Sequence, residues 1–216
     1  MNLKGTLYII AAASGTGKTS LAKALSATVE NTRISISYTT RPIRVGETTN
    51  QDYFFVDVET FESLIKQKEF LEHARVFGQY YGTSRQWVET QLNAGIDVIL
   101  DIDWQGAKQI RQQINCVSVF LLPPSRAELR LRLEKRKRED AKIIEDRLAA
   151  ASNEIAHCKE FDYIIINDKF EDALEDLKAI VHSKRLQYEH QIKKHDMLIK
   201  ELLKNFCTGQ KNKIDS

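Results

Sequence analysis

The chain has 216 residues, of which 42% are hydrophobic and 29% are charged. That length and balance suit a single soluble α/β domain with small inserted subdomains, and the sequence shows no repeats or low-complexity linkers. A formal net charge of +2 is nearly balanced, so the whole-chain field does not point to nucleic acid.

The first apolar run, residues 6–12, reads as a buried strand. It is short and passes directly into a loop of small residues, so it is read as neither a signal peptide nor a membrane span. The loop Ala12-Ala13-Ser14-Gly15-Thr16-Gly17-Lys18-Thr19 opens a helix. Glycines let backbone N–H groups close around a phosphate chain, and a helix N-terminus adds partial positive charge. The Lys18 ammonium is set to reach the outer phosphates, and the Thr19 hydroxyl to bind Mg²⁺. The first glycine of the phosphate-loop pattern is replaced by Ala12, which is harmless at negative φ. This stretch predicts nucleoside triphosphate binding.

Residues 33–38 alternate in polarity and suggest an edge or neighbouring strand. From about residue 37 to 93 the strand–helix rhythm is interrupted by an aromatic, turn-rich insertion. Short β-like pieces are expected at residues 53–56 and 70–76. One helix is expected near Asp57, and a second is capped by Ser84 and ends before Gly95. Arg41 and Arg44 suit a phosphate bidentately, with the Tyr53 and Tyr81 hydroxyls as further donors. A carboxylate from Glu72 or Asp103 can accept from the N1–H and N2–H₂ donors of a guanine edge, while the Thr83 or Ser37 hydroxyl can donate to O6. Adenine would leave such a carboxylate unpaired, and buried mispairing of that kind discriminates by about 10⁴-fold or more.

Residues 97–102 form an apolar strand ending near Asp101, which is placed to hold Mg²⁺ directly or through water; Asp103 follows on the same side. Further buried strands are expected at residues 117–122 and 163–167. Between them, residues 125–149 are helical and densely basic. No aromatics interleave with those charges, as base stacking on RNA would require. Mobile arginines closing over a transferred phosphoryl contribute about 10³–10⁵ in rate, and Arg132, Arg136 and Arg147 are the candidates. One long amphipathic helix is expected from residue 170 to about 204, with a polar tail over 209–216. Cys116, Cys158 and Cys207 are odd in number and lack paired spacing, which fits a reducing cytoplasm.

Taken in order, Ser14-Gly15-Thr16-Gly17-Lys18, residues 37–44, Gly46-Glu47, Asp52-Tyr53-Phe54-Phe55-Val56, Phe70-Leu71-Glu72, Tyr80-Tyr81-Gly82-Thr83, residues 100–106 and Ile166-Asn167-Asp168 resemble guanylate kinase, most of all the bacterial enzymes. The likeness covers roughly residues 3–204. It implies an α/β fold of the P-loop NTPase type. The doubly wound parallel-sheet core would comprise residues 1–36, 94–124 and 150–205, joined by a mixed α/β GMP-binding insertion (37–93) and a helical lid (125–149). It implies ATP + GMP giving ADP + GDP, with dGMP as a further acceptor and Mg²⁺ as cofactor. By the same resemblance, Ala12 to Thr19, Arg136 and Asn167 bind ATP. Arg41, Arg44, Tyr53 and Tyr81 hold the GMP phosphate, and Ser37, Glu72, Thr83 and Asp103 read its base. Lys18, Arg41, Arg132, Arg136 and Arg147 serve the transfer, and Thr19 and Asp101 the metal. No nucleic acid or membrane partner is implied, and a homo-oligomer is compatible with the chain. The lid reads Lys135-Arg136-Lys137 where Gly-Arg-Gly is common. Scaffold modules that keep this fold for peptide binding tend to lose the phosphate loop, whereas Lys18, Thr19 and Asp101 are all present here.

Overall fold

The computed structural model describes residues 4–76, 78–136 and 141–208, with the side chains of 136, 141–143 and 205–208 excepted. Its centre is β1 (Leu7–Ala12), buried along its whole length. Successive side chains alternate between faces, so Tyr8, Ile10 and Ala12 enter one core and Leu7 and Ile9 the other. On the first face β1 meets α1 (Lys18–Thr28) through Leu21, Ala22 and Leu25.

The chain then forms β2 (Thr32–Ile34) and crosses into a second sheet with β3 (Tyr38–Thr39) and β4 (Phe54–Phe55). The alternating run expected over residues 33–38 is therefore two strands in two sheets. Residues 35–37 bridge them, tied to the core by the Ser35 N–H on the Ile99 carbonyl. Next come α2 (Val58–Lys66), β5 (Phe70–Val76), β6 (Gln79–Ser84) and α3 (Arg85–Asn93). The Asp57 carboxylate caps α2 through the Thr60 N–H, and the Ser84 hydroxyl caps α3 through the Trp87 N–H. Strand β6 adds to the expected elements. Its Gly82 leaves room for Phe61 and Phe70, whose ring atoms a Cβ would meet at 3.0 Å.

The core resumes with β7 (Asp97–Asp101), α4 (Trp104–Arg111) and β8 (Val117–Leu122). Two helices, α5 (Arg126–Arg136) and α6 (Ala141–Ile155), follow and pack Leu129, Leu133 and Leu148 onto Ala13 of the phosphate loop. Strand β9 (Tyr163–Ile166) completes a fully parallel sheet of order β2-β7-β1-β8-β9. The insertion carries a mixed sheet of order β4-β3-β6-β5. The inner strands β7, β1 and β8 are covered on both faces and are near-continuous apolar runs, whereas at the edges β2 exposes Arg33 and β9 buries only Ile165.

The single C-terminal helix expected over residues 170–204 is instead three: α7 (Phe170–Arg185), α8 (Tyr188–Lys194) and α9 (Asp196–Thr208). The breaks fall at Gln187, in extended conformation, and at His195. Ala173, Leu177 and Val181 bury α7 against the sheet. That surface ends at Arg185, which is clamped to Asp97 and the Glu30 carbonyl. Beyond it Leu186, Tyr188 and Met197 are exposed, so no packing holds the helix on its course. No described helix is long and apolar enough to cross a membrane.

Gly5 lies where the chain enters β1, its N–H on the Leu92 carbonyl. A Cβ there would overlap the Ile96 carbonyl backbone. Gly5→Ala is expected to cost about 2 kcal/mol and lower the melting temperature by roughly 4–8 °C, read by thermal denaturation.

Candidate active site

Parallel pairing sets Ile10 beside Asp101, so the loop leaving β1 and the end of β7 lie together at the carboxyl rim of the sheet. Gly15 (φ 91°) and Gly17 (φ 94°) hold the left-handed backbone that closes the loop. Ala12 is the last residue of β1 and needs no such freedom. Gly17 caps α1 without a side-chain acceptor, and the first turn carries no acidic residue. Its N–H groups and dipole therefore favour an anion.

Lys18 Nζ donates to the Ile102 carbonyl at 2.6 Å and pairs with Asp101 Oδ1 at 2.7 Å. Thr19 Oγ1 donates to Asp101 Oδ2 at 2.5 Å. Asp101 Oδ1 is buried and takes no hydrogen bond apart from that ion pair. A hydroxyl and a carboxylate so close, with one oxygen underused, fit a hard cation that keeps water and phosphate in its remaining positions. Among the described residues no cluster of three or more His, Cys, Asp or Glu could hold a metal by itself.

A cleft of about 440 Å³ runs from this loop to the insertion and is lined by residues 12–19, Ser37, Arg41, Arg44, Tyr53, Glu72, Tyr81, Asp101 and Asp103. Arg41 lies over the Tyr53 and Phe55 rings at 5.3 and 5.7 Å. Its guanidinium pairs with Glu47 at 2.8 Å, and Glu47 also accepts the Arg44 N–H at 2.8 Å. Burial alone would lower the Arg41 pKa, but the hydrogen bonds and charge of Glu47, together with Tyr81, raise it. Burial pushes the Tyr53 phenol up to about 12, so it stays a donor.

Glu72 is 4% exposed and accepts the Thr83 hydroxyl at 2.6 Å. Burial pushes its carboxyl up to about 7; the Thr83 bond lowers it and nearby Asp103 raises it. Asp103 caps α4 through the Gly106 N–H at 2.9 Å while its carboxylate faces the cleft.

Four expected residues stand elsewhere. Thr83 is fully buried behind Glu72. Asn167, also buried, donates to the Thr16 carbonyl at 2.6 Å and props the loop from beneath. Arg132 is turned onto the Asn167 and Asp168 carbonyls and paired with Glu128. Arg147 sits on α6, outside the cleft lining. The Arg136 side chain, with residues 137–140 and 209–216, lies outside the described residues.

The guanylate kinase family model matches residues 4–184. Guanylate kinase of Photobacterium profundum is 51% identical over 203 residues, covering 93% of this chain and 98% of that one. That of Escherichia coli K12 is 49% identical with the same coverage. The crystal structure of guanylate kinase from Anaplasma phagocytophilum superposes with a TM-score of 0.74 at 34% identity, covering 87% of this chain and 89% of that one.

The chain belongs to the guanylate kinase family. It is therefore a kinase, a phosphotransferase. For this member of the guanylate kinase family the cleft also contains residues that the sequence reading does not single out. Glu47 holds the Arg41 guanidinium and the Arg44 backbone N–H; it stands in the quoted Gly46-Glu47 block, but its geometry has no local signature. Lys23 and Asp52 pair at 2.7 Å between α1 and the insertion. Glu154, near the end of α6, accepts the Ser14 N–H at 3.0 Å.

The raised Glu72 pKa fixes the sign of a pH dependence. With the folded value near 7 and the ordinary value at 4.5, the folded state binds the extra proton between them. Relative stability is full below pH 4.5 and falls as pH rises through 7, by up to about 3 kcal/mol. Glu72→Gln removes this loss. The melting temperature of the variant minus that of the natural protein, both without nucleotide, should become more positive from pH 5 to pH 8.

Proposed function

We propose that the cleft grips ATP and GMP tail to tail, the one by the phosphate loop and the other by the insertion. The reaction is that of the family: the chain transfers a phosphoryl group from ATP to GMP, giving ADP and GDP. The observation that carries the arrangement is a buried carboxylate, Glu72, opening onto the same cleft as Lys18 and the loop amides.

In this reading the main-chain amides of residues 14–19 and Lys18 hold the ATP phosphates. Arg41, Arg44, Tyr53 and Tyr81 hold the GMP phosphate, with Glu47 keeping Arg41 and the 44–47 turn in place. Glu72 accepts from guanine N1–H and N2–H₂, helped by Asp103. Thr83, already spent on Glu72, fixes its carboxylate, and Ser37 is the hydroxyl free in the cleft wall to meet O6. Contact with two guanine donors favours the ionised form of Glu72, against the pull of burial. dGMP, which shares the base edge and phosphate, is a second acceptor.

A GMP phosphate oxygen is already anionic at neutral pH, so attack on the γ-phosphorus needs positioning and charge stabilisation more than a base. Mg²⁺, held by Thr19 and Asp101, neutralises charge on the triphosphate when bound. Arg132, Arg136 and Arg147 belong to the lid and act on closure, which also excludes water that would hydrolyse ATP. Asn167 supports the loop beneath the nucleotide. A cytoplasmic setting suits such a reaction; Cys116 and Cys158 are both free.

Steady-state assays with MgATP against GMP, dGMP, AMP, CMP and dTMP should show turnover with the guanine nucleotides at least about 10³-fold above AMP in kcat/KM; comparable AMP turnover would defeat the base assignment. A second test uses Gly106, where a Cβ would overlap the Glu72 carboxylate. Gly106→Ala should raise KM for GMP roughly 10- to 100-fold while leaving KM for ATP within about twofold, because displacing a packed group costs about 1–3 kcal/mol.

A further inference from the structure

Glu154 presents a carboxylate to the phosphate loop itself. Its Oε2 accepts the Ser14 N–H at 3.0 Å, and the side chain lines the cleft shared with Lys18, Asp101 and Asp103. A loop whose amides are arranged for anionic oxygen has here recruited one from the protein. Burial raises the Glu154 pKa, the Ser14 N–H and Lys18 lower it, and Asp103 raises it again. Such a group is costly beside a triphosphate, since like charges in a partly buried site repel with little screening.

Its position along the chain gives that cost a mechanical outlet. Glu154 and Arg147 stand on the same helix, seven residues and about 10 Å apart, close to two full turns, so they share a face. Just past the end of α6, His157 stacks on Trp104 with ring centroids 3.6 Å apart and planes 6° from parallel. His157 is also hydrogen-bonded to Glu160. Trp104 directly follows Asp103, at the start of α4. The helix is thus pinned at one end, fastened to the loop one turn earlier, and carries a lid arginine two turns further out.

We propose that the Glu154 carboxylate competes with a nucleotide phosphate for the Ser14 N–H, so that occupancy of the phosphate loop sets the position of α6. Glu154 is a positioning residue: it acts on the lid through the helix and on ATP through the amide they contest. The inference rests on the assignment of the phosphate loop to ATP made above.

Calorimetric titration with MgATP alone, without GMP, tests it. Glu154→Gln removes the charge and should bind MgATP at least about fivefold tighter than the natural protein, the scale of one like-charge contact in bulk water and therefore a floor for a partly buried site, with KM for GMP unchanged within about twofold. Glu154→Asp keeps the charge but shortens the reach; it should tighten binding about twofold and decides the matter if the glutamine variant does not fold. A merely structural hydrogen bond would lower the melting temperature and leave ATP affinity equal or weaker. Hydrogen exchange over residues 144–155 gives the second readout. Added MgATP should alter protection there in the natural protein, and by less than half as much in Glu154→Gln. Equal or weaker MgATP binding by the variants, or an undiminished exchange response, would overturn the inference alone. Failure of the natural protein to bind MgATP would overturn the phosphate-loop assignment with it.

Discussion

The parallel pairing of β1 with β7 is the constraint on which the site depends. It delivers Lys18 and Asp101, 83 positions apart by residue number, to within 2.7 Å of each other, and it brings Thr19 onto the same carboxylate. Both strands are buried and apolar, so a slip of register would expose the core as well as part the charges. Hydrophobic burial thereby fixes an electrostatic arrangement that surface ion pairing, worth about 1 kcal/mol or less, would not hold.

The insertion solves a different problem with different material. Its sheet is short and mixed, and its interior is aromatic: Tyr38 stacks on Phe54 at 4.7 Å, and Phe61 stacks on Tyr80 at 5.2 Å and lies tilted against Phe70 at 4.6 Å. Large flat rings let a small subdomain enclose the ionisable Glu72 and keep Arg41 stacked and directed. Tyr38, beside Thr39 in β3, is one of those rings. Charge in this half is preorganised by neighbours: Thr83 for Glu72, and Glu47 for Arg41 and the Arg44 backbone.

What was legible in the sequence follows from which forces act locally. The strands at 7–12, 97–101 and 117–122 were readable because burial on both faces leaves near-unbroken apolar runs; 163–166 shows the same apolar run although only Ile165 is buried. The loop was readable because positive φ demands glycine at 15 and 17. Strand β6 was hidden because Tyr80-Tyr81-Gly82 resembles a turn until Phe61 and Phe70 are known to need the space above Gly82. The break at Gln187 has no proline or glycine to announce it; it reflects where the sheet stops, a tertiary fact. Among functional groups, those in compact blocks were recognisable, whereas Glu154 looks like any helical glutamate. Arg132 carries the right chemistry in the sequence, yet its fork is spent on the carbonyls of Asn167 and Asp168.

The Lys23–Asp52 contact spans the mouth between core and insertion, with Lys23 about half exposed. A solvent-facing bridge of that sort weakens over the range in which the Debye length shrinks from about 30 Å at 0.01 M salt to about 8 Å at 0.15 M. Added electrolyte therefore loosens one tie between core and insertion, while the buried pairing of β1 with β7, shielded from solvent, is left as it was.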